Sequence, residues 1–131
     1  MEMLYRAMIE DVDGKPKVGR SARELGVRAG DKAPHNDVDA ISPNDVVFPI
    51  KGLSVSPDDP MNLEKHRRPV SLGGIGKDPV WVIDEIDLGP DLIFVHDSLT
   101  HGYIAPRVPM TLAQYEKALE LLRDRWRLFQ K

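Results

Sequence analysis

Apolar and polar positions alternate over residues 3–9. Tyr5, Ala7 and Ile9 fall on one face of a strand, and Leu4, Arg6 and Met8 on the other. Asp13–Gly14 marks a turn. Ser21-Ala22-Arg23-Glu24 has the form of a capping box, which predicts a short helix ending near Gly26. Residues 30–45 carry loop chemistry. Residues 45–49 and 52–56 read as two short strands, the second stopped by Pro57. Residues 58–77 read as loop with one helical turn near Leu63. Strands follow at 79–83 and 92–96, joined by an acidic turn that includes Gly89–Pro90, and a further strand at 101–105 precedes Pro106 and Pro109. The last segment opens on a second capping box, Thr111 and Gln114. Leu112, Tyr115, Leu119, Leu122, Trp126 and Phe129 then recur at alternating three- and four-residue spacing. That spacing predicts one long C-terminal helix whose apolar stripe packs on the core, with Arg123, Arg125 and Arg127 near its end, where the dipole favours cations. The fold class is α+β, leaning to antiparallel sheet.

Composition narrows this further. The 131 residues make one domain spanning 1–131, with 41% apolar and 30% charged residues, the balance of a globular chain. Glycine and proline are spread throughout, so the fold is loop-rich and not two domains on a linker. The absence of cysteine removes disulfides, thiolate nucleophiles, iron–sulfur clusters and cysteine-type zinc sites. No apolar run approaches the ~18 residues of a membrane span, and the first residues do not read as a signal peptide, so cytoplasmic synthesis is expected. A net charge of −3 argues against general nucleic-acid binding.

Several residues could carry chemistry. Arg6 lies mid-strand between Leu4 and Met8, where a buried guanidinium needs a partner. It reads as the holder of an anionic ligand such as a phosphate, or as an edge-strand arginine reaching water or an acid. Ser54 and Ser56 share a strand face opposite Leu53 and Val55; they read as ligand-orienting hydroxyls or as the wet face of a half-buried strand. Gly73-Gly74-Ile75-Gly76-Lys77 is not a phosphate loop, because Ser71 replaces the leading glycine and Asp78 the Mg²⁺-binding hydroxyl; a flexible loop is expected. His35, His66, His96 and His101 match no zinc spacing, so no metal is expected. Lys65-His66-Arg67-Arg68 reads as a phosphate-contacting cluster or a solvated charge run. His101 shares a strand face with Tyr103 and reads as an acid–base or stacking group, or as an ordinary satisfied histidine.

In order along the chain these residues resemble a known family. Leu4-Tyr5-Arg6-Ala7 on a first strand, followed by Ser54-Val55-Ser56, resembles the arginine–serine part of the ADP-ribosyltransferase toxin pattern. Pro90-Asp91-Leu92, Asp97, Thr100-His101, Ile104, Pro106, Pro109-Met110 and then Arg125-Trp126 on a helix are similar to the type VI secretion exported effector (Tse-two) family, as is Gly52-Leu53-Ser54-Val55. The likeness covers the first ten residues, 52–56, and most of 79–127.

The resemblance implies an ADP-ribosyltransferase-like fold of small antiparallel sheets around an NAD-binding cleft. It also implies a toxin acting on NAD in the cytoplasm of a bacterial target cell, export by a type VI system, and a tightly bound immunity protein. By this resemblance Arg6, Ser54 and His101 are the catalytic set. Tyr5, Arg6, Ser54, Ser56 and Tyr103 would contact NAD, Arg6 at the pyrophosphate or ribose and Tyr103 stacked on nicotinamide. Such transferases normally present a glutamate in the third motif; here that place falls to His101, with Asp97 and Glu85 as the nearby acids. Two other classes stay open: an NAD hydrolase or phosphorolytic toxin leaning on Glu85 or Asp97, and a non-enzymatic binding module on a degenerate transferase fold. Because nicotinamide, ribose and pyrophosphate are covalently linked, Arg6, Ser54 and His101 are expected to converge on one concave surface, with Arg6 on a strand next to that of Ser54 or His101.

Overall fold

The computed structural model of the chain describes residues 2–30 and 36–129. The strands are β1 (Met3–Ala7), β2 (Val46–Val47), β3 (Leu53–Pro57), β4 (Val80–Asp84), β5 (Leu92–His96), β6 (Gly102–Pro106), β7 (Met110–Thr111) and β8 (Arg127–Leu128), with one α-helix, α1 (Leu112–Glu120). Six strands form a sheet in the order β5-β6-β3-β1-β4-β8, and β2 pairs with β7 separately. Every pairing between these strands is antiparallel. The strands expected from alternation stand within one or two residues of their predicted limits.

Both faces of β1 are buried, as suits a central strand. Leu4 and Met8 join the main core with Leu53, Val55, Trp81, Ile83, Ile104 and the helix residues Leu112, Tyr115 and Leu119. Tyr5 joins a smaller cluster with Leu63, Leu72, Val80 and Val82. The capping box opens α1 as expected: the Gln114 N–H donates to Thr111 Oγ1, and the Thr111 N–H donates to the Gln114 carboxamide oxygen.

The long C-terminal helix is corrected. The helix is short, ending at Glu120, and turns lead through Trp126 into β8. Without β8, β4 would be an edge strand with a row of unpaired backbone groups. Arg127 and Leu128 pair with Val82 and Trp81, and the Phe129 N–H donates to the Val80 carbonyl. Satisfying that edge outweighs continuing a helix. The apolar stripe still goes inward, since Leu122 and Trp126 are buried in the main core. Phe129 instead packs edge-on against Tyr5, with ring centroids 5.6 Å apart.

The short helix expected from Ser21 is a turn. Leu25 donates its N–H to the Lys17 carbonyl and pairs with Val18, so the i→i−4 bond that would close a helical turn is not made. The expected flexible glycine loop is closely packed instead. The Gly74 and Gly76 N–H groups donate to the Pro69 and Arg68 carbonyls, and the Ile75 N–H to the Lys65 carbonyl. A Cβ at Gly74 would overlap the Arg68 backbone, so only glycine permits this approach.

The central sheet splits. β1 and β3 are in register only at Leu4–Pro57 and Tyr5–Ser56. Beyond that point β1 continues beside β4 to Ala7–Val80, while β3 continues beside β6 to Leu53–Ile104. The two strands therefore open a wedge, and the next residue of β1 is Arg6.

Candidate active site

Arg6 fills the wedge. Its Nη1 donates to the Ser54 carbonyl at 2.8 Å, a group that the diverging β1 backbone no longer serves. Its Nη2 donates to the Glu24 carbonyl at 2.8 Å and the Ala22 carbonyl at 3.3 Å, with the Ser21 carbonyl at 3.5 Å. This explains the turn at 21–26, because carbonyls that a helix would use internally are turned towards a cation. The side chain is buried, it makes no ion pair among the described residues, and its Nε has no partner. Burial lowers the guanidinium to about 10, with the Asp37 charge opposing that fall; it stays cationic at neutral pH. Arg6 is thus neither an edge arginine reaching water nor the partner of an acid.

A cavity of about 250 Å³ opens over this residue, lined by Ser54, Ser56, His66, Arg67 and His101 as well as Arg6. The structure thereby brings Arg6, Ser54 and His101 together, with Arg6 on the strand next to that of Ser54. Ser54 is half-buried and Ser56 buried, so Ser56 is not on a wet strand face. His101 opens onto the cavity from the β5–β6 hairpin. Its Nδ1 lies 3.1 Å from Asp97 Oδ2, which fixes the ring. The Asp97 and Ser98 N–H groups both donate to the His101 carbonyl, so the hairpin turn itself holds the pair together. A histidine oriented through one nitrogen by a carboxylate leaves the other nitrogen for a ligand.

Sequence reasoning missed part of the lining. Arg28 and Asp37 border the cavity, Asp37 from the segment read as loop and Arg28 from just before it. They form a closed unit: the Arg28 N–H, Nε and Nη2 all donate to the Asp37 carboxylate, and the Asp37 N–H returns to the Arg28 carbonyl. No periodicity marks such a pair, because its geometry comes from two loop segments meeting. His66 and Arg67 had a visible signal in the basic run. The glycine loop behind them bonds to the Lys65 and Arg68 carbonyls and so holds that run against the cavity, with Arg67 Nη1 donating to the Ala22 carbonyl at 3.2 Å.

Other expected residues lie elsewhere. Tyr5 does not line the cavity; it stands in the apolar cluster against Phe129. Tyr103 is in register with Ser54 and packs edge-on to His101 at 5.0 Å, with its hydroxyl 3.5 Å from Asp97 Oδ2. It therefore supports the histidine, and its ring is not among the lining side chains. Burial, followed by the charge of Asp97, pushes the Tyr103 hydroxyl above its usual value. Glu85 accepts from the Glu2 N–H, and His96 bonds the Glu2 carboxylate, both away from the cavity lining. His35 lies outside the described residues. Among the described residues no group of three or more His, Asp or Glu is placed to hold a metal ion, and no helix is long and apolar enough to cross a membrane.

The cavity has the chemistry of an anion site. Three arginines border it against two carboxylates, Asp37 and Glu64. A guanidinium has five N–H donors; the contacts above leave the Arg6 Nε hydrogen and one on Nη1 without an acceptor among the described residues. The family model described as Tse2 ADP-ribosyltransferase toxin matches residues 3–126. No curated protein and no solved structure matches the chain.

Proposed function

The chain belongs to the Tse2 ADP-ribosyltransferase toxin family, and from that membership and the cavity chemistry we propose that it transfers ADP-ribose from NAD to a target inside a bacterial cell. The observation that carries this reading is Arg6. It is a buried cation with no carboxylate in contact among the described residues, bordering a cavity that also holds two hydroxyls and an oriented histidine. The carbonyl bonds offset the cost of keeping this cation dry but leave its charge uncancelled, so a ligand's negative charge is favoured beside it. A pyrophosphate does so.

The volume fits one end of the dinucleotide. About 250 Å³ lies just under the range of roughly 300–1,000 Å³ for small-molecule pockets, which suits nicotinamide and its ribose but not the whole of NAD. In this reading Arg6 and Arg67 hold the phosphates through charge-assisted bonds. Ser54 bonds a ribose hydroxyl and, through its carbonyl, holds Arg6 in place. His101, fixed by Asp97, accepts the proton of the acceptor nucleophile as the new bond forms at the anomeric carbon. Tyr103 sets the ring of His101 and does not stack on nicotinamide. An immunity protein that neutralises the toxin, and export by a type VI system, belong to the same reading.

The test is incubation of the purified protein with NAD labelled in the adenylate, in the presence of bacterial lysate. Label on a macromolecule is the expected result. Free ADP-ribose alone would assign a hydrolase, and no turnover at all would leave a binding module.

A further inference from the structure

We propose that Asp37 is a catalytic carboxylate of this site, the group that stabilises the positive charge developing on the ribose; the assignment rests on the ADP-ribosyl-transfer reading above. When the N-glycosidic bond of NAD breaks, its electron pair leaves with the nicotinamide nitrogen, which becomes neutral. The positive charge passes to the anomeric carbon and ring oxygen. The acceptor's lone pair then forms the new bond at that carbon, and its proton goes to His101. A cation therefore arises in a cavity bordered by Arg6, Arg28 and Arg67. Those arginines favour the pyrophosphate and oppose the transition state. The reaction needs a fixed negative charge among them.

Two carboxylates border the cavity among the described residues, Asp37 and Glu64. The Glu64 side chain is 74% exposed and lies 3.3 Å from His66 Nδ1, so water screens most of its field. The Asp37 side chain is 10% exposed. Its Oδ2 accepts from the Arg28 N–H at 2.7 Å and from Nε at 3.3 Å, and its Oδ1 accepts from Nη2 at 2.9 Å. The Asp37 N–H donates to the Arg28 carbonyl at 2.7 Å, which fixes the backbone as well. A carboxylate oxygen has two lone-pair sites, so Oδ1 keeps one for a ribose hydroxyl. Such a carboxylate is preorganised and needs no reorientation as charge develops. Its charge is also felt by Arg6, Tyr103 and Tyr115, groups on both sides of the split sheet and beneath it. Asp97, the acid beside the histidine, is half exposed and engaged with His101 Nδ1.

A purely structural role for the Arg28–Asp37 pair, stapling two loop segments, is the competing account, and kinetics separate the two. NAD binding by calorimetry, NAD consumption at saturation and the melting temperature are measured for the parent, Asp37→Asn, Arg28→Gln and Glu64→Gln. The expected result is that Asp37→Asn binds NAD within about threefold of the parent while kcat falls at least 100-fold; Glu64→Gln stays within threefold in kcat. A staple predicts equal losses of melting temperature for Asp37→Asn and Arg28→Gln with kcat unchanged, and that result overturns the assignment. So does a 100-fold loss in Glu64→Gln with Asp37→Asn intact. Should Asp37→Asn fail to fold, Asp37→Glu keeps the charge but displaces it by a methylene. A kcat more than tenfold down with binding retained is then expected, and unchanged kcat overturns the proposal. A parent that consumes no NAD overturns the transfer reading together with this assignment, whereas an active parent with an equally active Asp37→Asn overturns this assignment alone.

Discussion

Replacing Arg6 separates what the guanidinium does for the fold from what it does for the site. Its removal leaves unequal gaps. The Ala22 carbonyl keeps Arg67 as a donor, and the Ser21 carbonyl keeps the Glu24 N–H. The Ser54 and Glu24 carbonyls, each held at 2.8 Å, are the ones left short. At about 1.5–3 kcal/mol for each charge-assisted bond, their loss costs roughly 4 kcal/mol. Against this stands the penalty of burying the charge. The fall of the guanidinium from its ordinary value to about 10 corresponds to about 3 kcal/mol, at ~1.4 kcal/mol per tenfold change in proton affinity. Arg6→Met removes both contributions and is expected to cost only about 1 kcal/mol. Arg6→Lys keeps a buried cation, and a compact ammonium is harder to dehydrate than a guanidinium. It also cannot span the wedge to both carbonyls, so it forfeits at least one strong bond, or about 2–3 kcal/mol. The nominally conservative change is therefore the more damaging to stability. Urea unfolding followed by the fluorescence of Trp81 and Trp126 measures the order directly. NAD consumption should be abolished in Arg6→Met although it folds. An Arg6→Lys as stable as the parent beside an Arg6→Met losing more than about 4 kcal/mol would refute the two-carbonyl account of the wedge.

Trp126→Ala should cost about 3–5 kcal/mol as a large-to-small core change. Trp126→Phe should cost much less, because the buried indole N–H has no partner to lose; equal losses in calorimetry would show that the nitrogen is bonded. Tyr115 donates to the Ile104 carbonyl and accepts from the Leu53 N–H at 3.0 Å, so Tyr115→Phe leaves two buried groups unpaired and should cost about 2–4 kcal/mol. Burial pushes the Tyr115 hydroxyl up, and Tyr5 and Tyr103 are raised as well. A raised folded value gives stability that is full below the unfolded value near 10 and lost as pH rises above it. Alkaline unfolding should therefore set in above about pH 10 and be shallower in Tyr115→Phe, as read by urea midpoints across pH. His101→Ala, with the side chain 34% exposed and one bond to Asp97, should cost no more than about 1 kcal/mol yet abolish NAD consumption; a loss above about 3 kcal/mol would make His101 a structural residue.

The convergence of Arg6, Ser54 and His101 on one cavity was legible in the sequence because each stands on or beside a strand whose alternation shows where the chain runs. The family resemblance then put them in order. What they do in detail was less legible. Alternation placed Arg6 among apolar neighbours but could not say that its partners would be carbonyls from residues 21–24. It put Ser56 on a face that other segments then covered. Tyr5, suggested by its place beside Arg6, was claimed by Phe129 from the far end of the chain.

Local chemistry was enough wherever a residue's near neighbours in sequence are also its partners in space. Alternation along single strands fixes β1, β3, β4, β5 and β6, and the Thr111–Gln114 capping box fixes the start of α1. The tertiary structure decided every feature whose partner is remote. The stripe running to Phe129 is helical in its spacing, yet the open edge of β4 draws Arg127 and Leu128 into a strand. Ser21–Glu24 has the form of a helix start, yet a buried cation from β1 takes its carbonyls. Arg28 and Asp37 lie in segments without periodicity, and only the meeting of those loops over the split sheet brings a fixed carboxylate to the cavity. The physical reason is common to all three: an unpaired strand edge, a buried charge and an ion pair are satisfied by whichever group the fold brings within reach, and hydrophobic patterning carries no record of which group that is.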